Sequence, residues 1–306
     1  MSFANLKNNQ GLVGVKHLQE ELEKLNKKTD GASGDDRFWK LSVDKSGVGA
    51  AVIRFLPESE GDSTPWVVIY EHAFQGPGGW YIEKSRTSLN GSVDPVSEYN
   101  TQLWNSGVDA NKDLARKQKR NARYISNILV VKDPANPENE GKVFLFKYGK
   151  KIFQKIKESM MPEHDPVDQK DPLNPFCFWK GANFKLKCRK VEGYPNYDHS
   201  DFSTPEPLFG GDEKKLENLW KSQYKLSALL EPGEFKSYDE LKRKLDRVLG
   251  LSSSNKVEQS SSPKVSVKTS ITETAEDVGN VSKSFSSDDE DMSDDLSYLQ
   301  QLASED

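Results

Sequence analysis

Five cations, Arg116, Lys117, Lys119, Arg120 and Arg123, stand directly before Tyr124 and an apolar run, Ile125–Val131. A turn rich in Pro, Asn and Gly follows, then a second run, Val143–Tyr148, in which Phe146 and Tyr148 flank Lys147. Residues 110–157 hold thirteen Lys or Arg against four Asp or Glu, a net of +9. Cationic side chains bind backbone phosphates, and flat rings stack on bases. Only unpaired bases offer open faces, so the combination points to a single strand. A solvated helix face is the plain alternative for any basic run. Against it, no acidic residue interrupts Arg116–Lys132, and the run abuts a strand.

Other aromatics could add to that surface. Trp80, Tyr81, Tyr99, Trp104, Tyr194 and Tyr197 lie beside charges, Gly/Pro turns or strand ends. There each could stack on a base or equally serve as half-buried packing. Trp66, Phe55 and Phe184 fit apolar strand faces and read as core. In Phe184–Val191 the period is two, with Phe184, Leu186 and Cys188 on one face and Lys185, Lys187 and Arg189 on the other.

Catalytic chemistry has little footing. Phosphate-loop, serine-hydrolase and zinc-protease motifs are absent, and His17, His72, His164 and His199 lack metal-ligand spacing. Glu163, Asp165 and Asp168 share a Pro-rich loop with nothing else to make a metal site. The chain reads as a binding protein, not an enzyme.

These residues need a frame. Ala50–Leu56, Trp66–Tyr70, Trp80–Glu83, Ile125–Val131, Val143–Tyr148 and Phe184–Val191 read as short strands, with HAFQGPGG as a turn between the second and third. Helices are expected at about Lys150–Met160, Glu213–Leu230 and Tyr238–Leu249, the last with a Ser237/Glu240 capping box and Gly250 as its stop. Short strands with long connections suggest an α+β chain built on a partly open, five-stranded OB-fold barrel with added helices. Leu18, Leu22 and Leu25 recur at helical spacing in an N-terminal arm, residues 1–30. The ordered core is expected at 31–250, followed by a Ser-rich linker and acidic tail over 251–306, which should be disordered.

Composition agrees. Hydrophobic residues make up 34% and mean hydropathy is −0.77, too polar for the whole chain to be packed. The net charge of −5 hides a polarity, since residues 251–306 carry −8 and residues 1–250 carry +3. Met292, Leu296, Tyr298, Leu299 and Leu302 punctuate the acid of residues 284–306, as a docking peptide would require. No apolar run has membrane length and no signal peptide is evident, so a soluble, intracellular protein is expected. Two cysteines, Cys177 and Cys188, suit a reducing compartment.

Several blocks carry a resemblance. NILVVKDPANPENEGKVF (127–144), YGKKI (148–152), AVIRFLP (51–57), GWYIE (79–83), WKGANF (179–184) and NYD (196–198) resemble the helix-destabilising single-stranded DNA-binding proteins of T-even-type bacteriophages. The blocks span about residues 39–200, and EKLN (23–26) and the acidic C-terminus extend the likeness to both ends. The resemblance implies cooperative, sequence-nonspecific binding of single-stranded DNA during phage replication, recombination and repair, in the cytoplasm of the infected bacterial host. It implies self-association through the arm, here the Leu18/Leu22/Leu25 face, and recruitment of replication, recombination and repair proteins by residues 284–306. It places a DNA-contacting arginine on Arg54, the basic cluster on Lys119, Arg120 and Arg123, and aromatic contacts on Tyr124, Tyr194 and Tyr197. Phe146 replaces a family tyrosine, and Ile125 a tryptophan.

The family's structural zinc is the main departure. Its histidine falls on His72, but the three cysteines fall on Ser85, Asp94 and Ser97. Hydroxyls are poor zinc ligands, so no zinc is expected, and packing or hydrogen bonding must hold residues 72–100, with help from Trp80, Tyr81 and Tyr99. The N-terminus also lacks the family's compact basic cluster, offering only Lys7 in Met1–Gln10. The competing readings are an RNA-binding OB-fold module, an acidic-tail protein adaptor and a metal-dependent nuclease.

Overall fold

A computed structural model describes residues 35–162 and 171–251. In chain order, its strands are β1 (Phe38–Trp39), β2 (Gly49–Phe55), β3 (Val67–Gly76), β4 (Gly79–Lys84), β5 (Arg120–Lys132), β6 (Val143–Tyr148), β7 (Phe184–Val191), β8 (Tyr194–Asn196) and β9 (Asp201–Phe202). The described α-helices are α1 (Pro95–Asn105), α2 (Asp109–Lys117), α3 (Lys150–Met160), α4 (Glu213–Lys221) and α5 (Tyr238–Leu249). The chain is therefore α+β, and it forms two compact units. Unit 1 takes the described parts of Met1–Val68 and Arg123–Leu229; unit 2 takes those of Ile69–Ala122 and Leu230–Asp306. The arm with Leu18, Leu22 and Leu25, the acidic loop Glu163–Asp168 and the tail beyond Leu251 lie outside the described residues.

Unit 1 is built on an open sheet in the order β1-β6-β5-β2-β7-β8, with β9 also on β7. β1 runs parallel to β6 and the other pairs are antiparallel. Alternation decides its two faces. From β2, Ala51, Ile53 and Phe55 enter one core with Phe184 and Leu186 of β7 and Phe146 and Tyr148 of β6. Ile152 and Ile156, four apart on α3, close the same core. Leu56, Leu129, Phe178, Leu208, Leu216 and Leu219 form a second cluster, to which α4 contributes its apolar stripe. Each of the buried Leu, Ile and Phe side chains stabilises the fold by roughly 1.5–3 kcal/mol.

The helix expected over Glu213–Leu230 stops at Lys221 and resumes as a 3-10 turn at Leu226–Leu230. Side chains distant in sequence intercept the backbone between them. Asn127 Oδ1 accepts from Tyr224 N at 3.0 Å, and the Asp62 carboxylate accepts from Leu226 N and Ser227 N at 2.7 and 3.0 Å. Helical periodicity carries no trace of such partners.

In unit 2, β3 and β4 form a hairpin in which Phe74 stacks on Tyr81, centroids 5.0 Å apart. Most of HAFQGPGG is strand, because Gly76 pairs with Gly79 and only Pro77–Gly78 turn. The turn lies against the C-terminus of α5, where Gly78 N donates to Val248 O at 2.7 Å. A Cβ at Gly78 would meet Arg247 O at 2.1 Å, so this approach requires glycine. The Ser237/Glu240 capping box starts α5, and Gly250 ends it at φ 73°. α1 and α2 were not expected, although Asp94 followed by Pro95 is a helix-start signature.

Glu83 fastens β4 to the α5 segment. It accepts from Lys236 Nζ at 2.6 Å and pairs with Lys244 Nζ. Burial alone would push its carboxyl up, but the two lysines outweigh burial and hold it below its ordinary value. A depressed carboxylate stabilises the fold at neutral pH, and that contribution is lost as pH falls through the folded value. Thermal melts from pH 7 down to pH 3 should show Glu83→Gln destabilised by roughly 1.5–3 kcal/mol at pH 7. The difference from wild type should shrink as the medium is acidified.

Candidate nucleic-acid interface

The cationic face predicted on β7 is present in unit 1. Lys185, Lys187 and Arg189 are exposed while Phe184, Leu186 and Cys188 are buried. Directly opposed residues share a sheet face, so Val191 and Arg189 bring Tyr194 and Asn196 of β8 onto that same face. Tyr194 is 62% exposed. Arg189, Lys151 and Lys155 surround Asp198, whose carboxyl is held below its ordinary range first by a bond from Asn196 and then by these charges. Lys147 is exposed on β6, directly opposite Ile125 of β5. Arg123 and Tyr124 are half-buried, Arg123 lying beside Gly149 and Tyr124 stacking on Phe153 at 3.8 Å. Tyr197 is half-buried against the first core.

Unit 2 carries a second basic and aromatic group. Arg116 and Lys117 are exposed at the end of α2, and Lys119 and Arg120 are half-buried beyond it. Arg116 lies over the half-buried Trp104 ring at 5.4 Å, with Lys112 at 5.9 Å. Arg120 covers Tyr70 at 4.2 Å. Trp80 is 59% exposed on the outer face of β4, beside Ile82. Tyr99 is half-buried against Phe74, Tyr81 and Val96.

Four expected contacts are corrected. Phe146 and Tyr148 point inward from β6, opposite in direction to Lys147, and both pack in the Phe55 cluster. Tyr81 is 1% exposed between Phe74 and the α5 leucines. A ring enclosed on both faces has none left for a base. Arg54 is fully buried, and its Nη2 donates to Cys177 O at 2.9 Å and Glu206 O at 3.1 Å. Burial pushes its pKa down, and the Glu206 carboxylate opposes the shift. By alternation Arg54 shares the sheet face of Lys185, yet the carbonyls of Cys177, Phe178 and Glu206 hold its guanidinium, and it lines a half-open cavity of about 370 Å³ together with residues 206–210. Its sequence pattern reports the face and not the cover.

Trp179, 55% exposed, and Phe209, 41% exposed at φ 52°, are further exposed rings outside the expected set. Trp179 sits before Lys180 in a Gly-containing loop, which is the signal that could have found it. The Tyr70 partnership with Arg120 had none.

His72, Ser85 and Asp94 are buried together in unit 2. His72 Nδ1 lies 2.8 Å from Gln118 O, and its Nε2 lies 3.4 Å from Asp94 Oδ1. Asp94 caps α1 through Val96 N and Ser97 N and accepts from Arg86 N. Burial would raise its carboxyl; the bond and charge of His72 and the backbone donors bring it below its ordinary value. Among the described residues, no three His, Cys, Asp or Glu side chains gather as a metal site would require.

Residues 47–249 match the family described as gp32 DNA binding protein like. The single-stranded DNA-binding protein of Enterobacteria phage T4 is 39% identical over 238 residues, covering 76% of this chain and 77% of that one. Its counterpart in phage T2 is 39% identical over 239 residues with the same coverage.

The burial of Arg54 sets a stability prediction. Arg54→Leu leaves carbonyls without their donor and should cost about 1–3 kcal/mol in thermal or urea unfolding. Lys185→Leu, on the same face but exposed, should stay within about 0.5 kcal/mol. Equal, small effects would mean that Arg54 is not a structural arginine.

Proposed function

The chain belongs to the gp32-like family of DNA-binding proteins, and from that premise we propose how its surface works. It binds single-stranded DNA and is not an enzyme. The binding is nonspecific: backbone phosphates pair with Lys185, Lys187, Arg189 and Lys147 in unit 1 and with Arg116, Lys117, Lys119, Arg120 and Arg123 along the basic run. Tyr194, Tyr124 and Tyr197 in unit 1, and Trp80, Trp104 and Tyr99 in unit 2, give bases a place to stack. The exposed β7 row beside Tyr194 carries the reading, because it combines fixed charge with an accessible ring.

The open sheet supports an OB-like reading of unit 1. Binding single strands and not duplex shifts the melting equilibrium by mass action, which gives helix destabilisation. Residues 1–30 serve cooperative self-association along DNA. Residues 251–306, at −8, compete with phosphate for the basic surface and recruit replication, recombination and repair proteins. The site of action is the cytoplasm of a phage-infected host. Among the described residues, no helix is long and apolar enough to cross a membrane.

Tryptophan and tyrosine fluorescence, titrated with oligo-dT at several salt concentrations, tests this reading. Log K should fall linearly with log salt at about −0.7 per neutralised phosphate. Replacing Lys185, Lys187 and Arg189 together by Ala should reduce that slope by about two. Tyr194→Ala should weaken binding by roughly 1–3 kcal/mol, while Tyr148→Phe should leave it unchanged. Equal binding of duplex, or a slope unmoved by the triple substitution, would make the basic face a general electrostatic surface. Preference for oligo-U over oligo-dT would favour an RNA-binding module instead.

A further inference from the structure

Where the family resemblance implies a structural zinc, the residues of this chain do not fit one. The four corresponding positions supply one imidazole, one carboxylate and two hydroxyls, whereas a closed zinc site takes thiolates and imidazoles. The carboxylate is already committed. Asp94 Oδ1 accepts from Val96 N at 3.0 Å and Ser97 N at 3.3 Å, and Oδ2 accepts from Arg86 N at 2.9 Å. Ser85 Oγ is engaged as well, 2.9 Å from Thr87 Oγ1 and 3.4 Å from Thr87 N.

The geometry points to a metal-free staple in which the His72–Asp94 pair does the work of the metal, joining β3, the turn after β4, the start of α1 and the end of α2. Apart from the His72–Asp94 approach itself, the connections are hydrogen bonds. A carbonyl only accepts, so the contact with Gln118 O places a proton on His72 Nδ1 and fixes the ring. Asn100 Nδ2 donates to the same carbonyl at 3.3 Å, tying α1 to the end of α2. The other ring nitrogen, Nε2, lies 3.4 Å from the buried Asp94 Oδ1. Asp94 then reaches Arg86 and the first turn of α1. A zinc ion held at the four corresponding positions would join only three of these segments, because Asp94 and Ser97 both belong to the start of α1; the end of α2 is reached here through Gln118 O. Here several weaker bonds radiate from the His72–Asp94 pair, and the residues at the family's ligand positions serve as a helix cap and its neighbours.

The inference has a gain-of-function test. Full-length wild-type protein, purified without added metal, should carry substoichiometric zinc, and excess EDTA should leave its melting temperature unchanged. Ser85→Cys, Asp94→Cys and Ser97→Cys together rebuild the donor set around His72. That variant should take up about one zinc per chain in a colorimetric titration, and its melting should become sensitive to chelator. His72→Phe in the wild-type background should lower the melting temperature by roughly 2–8 °C without changing metal content. Stoichiometric zinc in the wild type, with melting lowered by EDTA, would overturn the proposal. So would a metal-free His72→Phe that melts with the wild type. The wild-type chelator measurement needs no variant to fold.

Discussion

The ring of Phe55 is the constraint on which unit 1 depends. Fully buried at the end of β2, it lies within 6.5 Å of the rings of Phe146, Tyr148, Phe176, Phe184 and Phe202. Those partners come from β6, β7, β9 and the segment before β7, so one side chain joins three strands and a loop. Aromatic contacts of this kind add about 0.5–1.5 kcal/mol each beyond the area they bury. Once these rings face inward, period two leaves the alternate positions outward: Lys147 on β6, and Lys185, Lys187 and Arg189 on β7. The cationic surface is thus a geometric consequence of the aromatic core. Its charges are held at strand spacing by side chains buried on the opposite face.

The same relation explains what was legible in the sequence. β6, β7, α3 and α5 stand at the residues expected, since each has an unbroken period and, in α5, a capping box and a terminal glycine. The outward row on β7 was readable for the same reason. The direction of an aromatic within a strand also follows from period, but its cover does not. Phe146 and Tyr148 fall on one side of β6 and Lys147 on the other, and which side is core depends on sheets and helices far away in sequence. Arg54 shows the limit most clearly. Alternation puts it on the face of Lys185, while the carbonyls that hold its buried guanidinium, at Cys177, Phe178 and Glu206, come from more than a hundred positions later. The break after Lys221 has the same origin, because Asp62 and Asn127 lie outside any local window.

Unit 2 poses a different problem of specification. Its hairpin has one apolar face, with Phe74 and Tyr81 packed on Leu241, Leu245 and Val248, but His72 and Asp94 are buried beside it. Desolvating such groups is costly unless nearly every donor and acceptor is matched. The match here is mostly with backbone: Gln118 O, Arg86 N, Val96 N and Ser97 N. Backbone partners are available only when the turn after β4 and both helix ends are correctly placed. The cost of burying the pair therefore penalises misplaced arrangements of these segments more than it weakens the native one. A metal ion organises its ligands by affinity, largely whatever their surroundings. A buried pair matched to backbone partners organises by exclusion, and it works only in a lobe whose secondary structure is already well specified. Asp94 meets that condition itself, since the carboxylate that faces His72 also starts α1 with Pro95 behind it.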